Sequence, residues 1–202
     1  MDTKIRWGIV GPGKIARKFV SDLLLVDNAE LTAVASRSLE RAQEFANEYG
    51  AKHSFGSYDE LFESGTVDVV YVATPHNFHK ELSIKALQHG IGVLCEKPLG
   101  VNRAEVEAQV EASQKHKAFL MEAMWSRFNP SIQKLKQMVD AGEMGDLKYI
   151  HADFAFYALD RDEDSRLLNP NLASGTLLDI GIYPIFLSYL LLGMPTEIMA
   201  KA

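Results

Sequence analysis

Apolar and polar positions follow two alternating patterns over the first 122 residues. Short, almost continuous apolar runs are typical of strands buried on both faces, whereas apolar residues that recur every three or four positions indicate amphipathic helices. The predicted strands comprise residues 6–10, 31–35, 53–55, 67–73, 92–95 and 119–121. The predicted helices comprise residues 14–25, 39–49, 58–62, 78–89 and 103–116.

The order of these elements predicts the fold class. Strands and helices alternate along the chain, which is the pattern of a parallel sheet with right-handed crossovers and helices on both faces. We therefore expect an α/β protein in which residues 1–122 form one Rossmann domain with a doubly wound parallel sheet.

The pattern changes after residue 122. Residues 130–141 and 177–192 have helical patterns, residues 147–157 alternate as in a strand with one buried face, and residues 197–201 resemble the start of another strand. We expect residues 123–202 to form the incomplete start of an α+β domain with an open antiparallel sheet. A partial sheet of this kind also suggests that the sequence is a truncated version of a longer chain.

Composition limits the classes of function. The chain has 202 residues and a net charge of −6, without a basic tail or stripe, which argues against a nucleic-acid partner. The single cysteine, Cys95, excludes an internal disulfide framework. Asp2, Lys4 and Arg6 interrupt any signal peptide, and the apolar run at residues 182–192 looks too short to span a bilayer and resembles a buried helix. We expect a cytoplasmic protein without a membrane partner.

The turn after the first predicted strand carries the spacing G-x-G-x-x-A. Gly11 permits a tight turn, Gly13 lets the backbone approach a pyrophosphate, and Ala16 allows close packing of helix on strand. The helix that starts at Lys14 and Ile15 would present its free N–H groups to the phosphates. The motif predicts a dinucleotide-binding turn, although the same spacing also occurs in ordinary strand-to-helix turns.

The end of the second predicted strand bears on the choice of dinucleotide. NAD-binding domains place an acidic residue there to hold the ribose hydroxyls, but this chain has Ser36 and Arg37. Arg41 follows one helical turn later, and a pair of guanidinium groups suits a 2′-phosphate. The sequence favours NADP over NAD, the alternative being that both arginines are ordinary surface charges.

A second motif, Glu96-Lys97-Pro98, follows the predicted strand at residues 92–95. Ligands of open α/β sheets bind at the carboxyl ends of the strands, so Glu96 and Lys97 would lie against the cofactor, with Lys97 near the nicotinamide. Pro98 fixes the local turn and could adopt a cis bond. The alternative for Lys97 is a surface charge.

Taken together, these motifs resemble those of the Gfo/Idh/MocA oxidoreductases. The segments that carry the resemblance are G-I-V-G-P-G-K-I-A (8–16), A-T-P-H-N-F-H (73–79), C-E-K-P-L (95–99), M-E-A-M-W-S-R-F-N-P (121–130) and D-I-G-I-Y (179–183). The last two are most similar to the branch that contains dihydrodiol dehydrogenase and NADP-dependent D-xylose dehydrogenase. The resemblance implies a second domain with an open-faced antiparallel sheet, which commonly forms a homodimer interface in the family.

The resemblance also implies roles for individual residues. Lys97 matches the active-site lysine, and Asp179 matches the acid of the family's D-x-G-x-H pattern. Tyr183 stands where most members have histidine, a departure shared by the dihydrodiol dehydrogenase branch, in which the tyrosine would transfer the proton. Asp179 and Tyr183 are four residues apart, so both could point into one site.

Further residues are expected to line the ligands. The resemblance implies that Thr74, Pro75, His76 and Asn77 contact the cofactor, with His76 near its ribose or phosphates. His76 and His79 could suggest a metal pair, but no thiol or carboxylate accompanies them, so no metal is expected. We expect His79 to pack at the start of its helix.

The candidate substrate contacts come from the second region. Trp125 and Phe154 offer apolar faces that suit a sugar ring or an aromatic diol, although packing between domains would explain them as well. Arg127 could contact substrate or be a surface charge.

These residues lead to a functional hypothesis. The protein would transfer a hydride between NADP and a hydroxyl or carbonyl carbon of a small sugar or diol, with Tyr183 and Lys97 as the proton-transfer pair. Lys97 alone could instead be the acid and base. The alternatives are a reductase of a keto- or anhydro-sugar, and a non-catalytic sensor that binds the dinucleotide without reacting.

Overall fold

Six parallel strands form the core of the computed structural model, which describes residues 4–158, 160–165 and 167–201. The strand order is β3-β2-β1-β4-β5-β6, so the direction of winding reverses between β1 and β4. The strands are β1 (Ile5–Val10), β2 (Ala29–Ala35), β3 (His53–Phe55), β4 (Val69–Val72), β5 (Gly92–Cys95) and β6 (Leu120–Glu122). The predicted α/β class and doubly wound sheet are confirmed.

Each strand of this sheet is connected to the next by a helix. The helices are α1 (Lys14–Leu23), α2 (Leu39–Tyr49), α3 (Tyr58–Glu63), α4 (His79–Gln88) and α5 (Arg103–His116). Local chemistry sets their ends: Ser38 accepts a hydrogen bond from the Arg41 N–H at the start of α2, and Asn102 accepts one from the Glu105 N–H at the start of α5.

The core consists of two apolar clusters on opposite faces of the sheet. Successive strand residues point to opposite faces, so Ile9 and Val34 join one cluster while Val10 and Ala35 join the other. All four side chains are fully buried. This two-sided burial explains why the strands appear in the sequence as continuous apolar runs.

The chain divides into two compact units, residues 1–123 and 124–202. The second unit contains α6 (Pro130–Asp140), a π-helical turn (Leu177–Gly181) and α7 (Ile182–Leu192), with 3₁₀ turns at Trp125–Phe128 and Pro170–Leu172.

The two strands predicted in the second unit do not form in this structure. Residues 147–157 and 197–201 are in neither helix nor strand, and no strand follows β6 within the described ranges. A strand forms only when its backbone pairs with a neighbour, and the alternating side-chain pattern cannot supply that neighbour. Phe154 and Phe156, which the pattern assigned to one face, are both about half exposed.

Helix α7 also differs from the prediction of a buried helix. None of its residues is buried, and Ile185 and Tyr189 expose 57% and 49% of their surface. No described residue covers the face of α7 that bears Ile185 and Tyr189.

The longer stretch Pro170–Leu192 is apolar enough, by length and composition, to cross a membrane. Asp179 lies within it, and a carboxylate in mid-membrane opposes insertion by about 2.5–3.5 kcal/mol.

The pair Arg6–Asp68 joins the start of β1 to the residue before β4. The Asp68 carboxylate accepts hydrogen bonds from the Arg6 backbone N–H at 2.8 Å and from the guanidinium at 2.6 Å. The guanidinium lowers the pKa of Asp68, so the folded protein stabilises the carboxylate. This stabilisation is present above the unfolded pKa of about 3.9 and is lost as the pH falls through the lower folded value.

We expect Asp68→Asn to reduce the free energy of unfolding near neutral pH by about 0.5–1 kcal/mol, because both side chains are partly exposed and water screens the pair. Urea unfolding at neutral pH and near the unfolded pKa of about 3.9 tests this, since the difference from wild type should shrink in acid. The control is Asp27→Asn, which changes an exposed carboxylate without a described ion pair. An equal loss at both pH values, or in both variants, would contradict the assignment.

Candidate functional site

The carboxyl ends of β1 and β4 approach one another closely at Gly11. Its φ is +91°, in the region that favours glycine, and its N–H donates to the Ala35 carbonyl at 3.1 Å. A Cβ at this position would lie 2.9 Å from the Thr74 methyl carbon and 3.2 Å from the Ala73 carbonyl carbon. Only glycine therefore fits between the two strand ends.

Gly13 has a different role from Gly11. A Cβ there would meet nothing within 4 Å, so the packing of the protein does not require glycine at this position. Gly13 precedes α1 without a side-chain cap, and Lys14 and Ile15 after it are exposed. Ala16 is fully buried against the sheet. The open space and uncapped helix start suit a phosphate group that approaches the backbone.

The end of β2 presents positive charge. Ser36 is buried, whereas Arg37 and Arg41 are exposed. The Arg37 guanidinium carbon lies 5.7 Å from the centre of the Phe78 ring, within range of a cation–π contact. Burial raises the pKa of Tyr58, and the positive charges of Arg37 and Arg41 oppose that rise. The sequence analysis missed Phe78 and Tyr58, because the topology alone brings them to these arginines.

The turn after β4 holds the next group of candidates. Pro75 is partly buried, His76 is buried with 5% exposure, and Asn77 is exposed. The Thr74 hydroxyl is buried and has no hydrogen-bond partner among the described residues. Because the Thr74 side chain adjoins Gly11, this hydroxyl lies beside the glycine turn, where a bound ligand could accept or donate its missing hydrogen bond.

The turn after β5 carries Lys97. The Tyr71 hydroxyl donates to the Glu96 carboxylate, which also accepts the Lys97 backbone N–H at 3.2 Å. Lys97 is partly buried, and the bond between Lys97 and Pro98 is cis. Glu96 therefore supports the lysine through its backbone.

In the second unit, two aromatic side chains, Trp125 and Phe154, contact Tyr183. The Trp125 indole N–H donates to the Tyr183 hydroxyl oxygen at 3.1 Å. The Phe154 ring contacts the Tyr183 ring edge to face, with centres 5.5 Å apart. These side chains line a cavity of about 400 Å³, whose other walls come from Ser126, Asn129, Ser131, Ile132, Ala152, Asp153, Pro184, Phe186 and Leu187.

Two expected site residues of the second unit do not line this cavity. Asp179 is 5% exposed within the π-helical turn, and Arg127 is exposed on the 3₁₀ turn. The cavity instead contains Asn129, Ser131 and Asp153, which the sequence analysis did not select. No group of three or more potential metal ligands occurs within the described ranges.

Comparison with known proteins places this geometry in a family. Residues 5–124 match a model described as an oxidoreductase family with an NAD-binding Rossmann fold, and residues 132–202 match the C-terminal domain of the same family. The chain belongs to the Gfo/Idh/MocA oxidoreductase family. The resemblance expected from the sequence motifs is confirmed.

Among relatives, the mouse trans-1,2-dihydrobenzene-1,2-diol dehydrogenase is 43% identical over 187 residues, which cover 91% of this chain and 55% of the mouse protein. The human protein of the same name is 39% identical over 191 residues, 94% of this chain and 56% of its own length. These matches confirm the similarity to the dihydrodiol dehydrogenase branch. The chain spans about half the length of the relatives it matches.

Among solved structures, the 3-ketoreductase KijD10 from Actinomadura kijaniata, in complex with NADP and TDP-benzene, is 32% identical with a TM-score of 0.87. The match covers 95% of this chain and 58% of KijD10. Family membership therefore establishes an NAD(P)-binding Rossmann domain.

The two glycines of the first turn provide a matched pair of variants. We expect Gly11→Ala to destabilise the fold by about 1–3 kcal/mol, because its Cβ would press on the end of β4 from an unfavourable φ. Gly13→Ala should leave stability within about 0.5 kcal/mol, since the space is open, but should weaken dinucleotide binding. Thermal unfolding and titration of nicotinamide fluorescence with NADPH measure the two effects. Equal stability of the two variants would contradict the assignment, as would full NADPH affinity in Gly13→Ala.

Proposed function

We propose that this protein is an NADP-dependent oxidoreductase that transfers a hydride between the nicotinamide and a CH–OH or carbonyl carbon of a small cyclic diol or sugar. The observation that carries the proposal is the position of Tyr183, whose side chain lines the cavity and whose hydroxyl accepts a hydrogen bond from Trp125. A phenol in that setting can exchange a proton with a substrate hydroxyl.

The first unit fits a dinucleotide on grounds of its own chemistry. Gly13 leaves open space before an uncapped helix, and the buried Thr74 hydroxyl next to Gly11 has no described partner. Both features are explained if a pyrophosphate lies against the glycine turn. Residues Gly11, Gly13, Lys14, Ile15 and Ala16 would hold this part of the cofactor.

NADP is favoured by the arginines at the end of β2. Arg6, Arg17 and Arg103 each pair with a carboxylate, but no ion pair is described for Arg37 or Arg41. Two exposed cations with no carboxylate partner among the described residues, close in sequence to the buried Ser36, suit a 2′-phosphate. KijD10, whose structure contains NADP, is similar to 95% of this chain.

The protein must move one proton while the bound nicotinamide accepts or supplies the hydride. During oxidation, Tyr183 takes the proton from the substrate hydroxyl, and during reduction it returns that proton to the carbonyl oxygen. The N–H donated by Trp125 stabilises the negatively charged form of the Tyr183 oxygen. Trp125 therefore supports the state in which Tyr183 acts as a base.

Lys97 and Asp179 complete the proposed machinery. Lys97 follows β5 on a turn supported by Glu96, and its cation favours the ionised form of a nearby phenol or alkoxide. We assign Lys97 to act with Tyr183 in the same reaction. Asp179, buried in the π-helical turn before α7, would orient the substrate or the lysine. Thr74, Pro75, His76 and Asn77 would line the cofactor.

The cavity supports a small cyclic substrate. Its volume of about 400 Å³ accommodates a single ring, and Trp125 and Phe154 provide aromatic faces for that ring. Asn129, Ser131 and Asp153 add polar groups that could bind hydroxyls. The relatives named for a dihydrobenzene diol favour oxidation of a cyclic diol. Reduction of a keto-sugar is a second candidate, favoured by the likeness to the 3-ketoreductase.

The cofactor assignment leads to a specific outcome. We expect Arg37→Ala combined with Arg41→Ala to lower kcat/KM for NADP by roughly 10- to 100-fold, the effect of losing charge-assisted hydrogen bonds, with little change for NAD. Arg103→Ala, which removes an exposed arginine already paired with Glu107, should change neither value. A wild-type preference for NAD would contradict the proposal.

The proton-transfer assignment is tested with variants of the full-length protein. Tyr183→Phe keeps the aromatic packing but removes the hydroxyl, and Lys97→Met removes the cation. We expect each variant to lower kcat by roughly 10²–10⁴-fold with a panel of cyclic diols and sugars.

Tyr189→Phe is the matched control, because Tyr189 lies on the same helix and does not line the cavity. Wild-type kcat in both Tyr183→Phe and Lys97→Met would overturn the assignment. Binding of NADPH without turnover of any substrate would instead favour a non-catalytic sensor.

A further inference from the structure

His79 connects two turns of the candidate site from within the core. It is the first residue of α4 and is fully buried. Its Nδ1 lies 2.7 Å from the Pro98 carbonyl oxygen, and its Nε2 lies 2.8 Å from the Thr74 carbonyl oxygen. Each ring nitrogen therefore lies within hydrogen-bond distance of a backbone carbonyl, one on the turn after β5 and the other on the turn after β4.

A histidine whose two ring nitrogens both face carbonyl oxygens is unusual for a residue that serves only as core packing, because a neutral imidazole carries only one N–H. A neutral ring donates from one nitrogen, so both contacts are hydrogen bonds only when the ring is charged. The pKa of His79 is lowered overall, because burial, together with the electrostatic effects of His76 and Lys97, outweighs the two carbonyl groups, which raise it. An apolar side chain would fill the same volume without placing a nitrogen against each carbonyl.

Further hydrogen bonds, made by Leu99, hold the turn that bears Lys97. The Leu99 N–H donates to the Glu122 carboxylate at 2.7 Å, and the Leu99 carbonyl accepts from the Gln109 side chain at 2.8 Å. Gln109 is fully buried. Together with Glu96 on the other side, these contacts fix the backbone on both sides of Lys97.

We propose that His79 is a positioning residue that sets the location of Lys97 relative to the cofactor-lining turn at Thr74. The inference rests on the proposed function, in which Lys97 takes part in the reaction. His79 touches neither reacting atom. It acts by fixing the Pro98 carbonyl next to Lys97 and the Thr74 carbonyl next to the glycine turn, so that the two turns keep one spacing.

The experiment compares three variants of the full-length protein. His79→Leu keeps apolar volume and removes both nitrogens. His79→Gln retains an amide that can donate to one carbonyl. Ser83→Ala changes another fully buried polar residue of α4 and serves as the control. For each variant, kcat, the KM for NADP and the unfolding temperature are measured.

We expect His79→Leu to lower kcat by roughly 10- to 100-fold, the effect of displacing a reacting group by a fraction of an ångström to about 1 Å, with KM for NADP changed by less than about threefold. His79→Gln should recover part of kcat, and Ser83→Ala should retain wild-type kcat. A folded His79→Leu protein with kcat within about twofold of wild type would overturn the proposal. A purely structural role would lower the unfolding temperature without this split between kcat and KM.

The same set of variants also covers two other outcomes: failure of His79→Leu to fold, and failure of the proposed function itself. If His79→Leu does not fold, His79→Gln is compared with Ser83→Ala, and equal kcat values in those two variants overturn the proposal. Lys97→Met is measured alongside. Wild-type kcat in Lys97→Met means that the proposed function fails, whereas an inactive Lys97→Met with an active His79→Leu means that only the positioning role fails.

Discussion

The close approach of Gly11 to the end of β4 is the contact on which the candidate nucleotide site depends. With no side chain at Gly11, the β1 turn lies directly against Ala73 and Thr74, and the same residue bonds to the end of β2. The ends of β1, β2 and β4 are thus held together by contacts within the chain. Because the carboxyl ends of parallel strands lie at one edge, the residues that follow each strand meet there as a consequence of topology.

This constraint explains how much of the first unit could be predicted. Strands buried on both faces leave continuous apolar runs, and helix ends leave local marks such as Ser38 and Asn102. All six strands and five helices were predicted, with ends displaced by a few residues. The strand predicted at 67–73, for example, is limited to Val69–Val72, because pairing with neighbours determines where a strand ends.

The second unit shows where such reasoning stops. The alternation at residues 147–157 indicates which side chains could share a face. A strand also needs a neighbouring strand with which its backbone can pair, and no such pairing is described for this segment. The π-helical turn Leu177–Gly181 is another example, since no residue type marks it in the sequence. π-Helical turns of this kind occur frequently at functional sites. This one contains Asp179 and leads directly into the helix that carries Tyr183.

The parts of the site that escaped prediction are contacts between distant residues. Spacing could select Arg37 but not the Phe78 ring beneath it, and it could select Tyr183 but not the Trp125 N–H bonded to its oxygen. His79 belongs to the same class, because its proposed role depends on its contacts with the Thr74 and Pro98 carbonyl groups. Removing one partner leaves a buried carbonyl unpaired at a cost of about 1–3 kcal/mol, but the net contribution of each such hydrogen bond to stability is only about 1 kcal/mol. The contacts of His79 instead fix the positions of two turns, since each ends on the backbone of a turn that carries a candidate functional group.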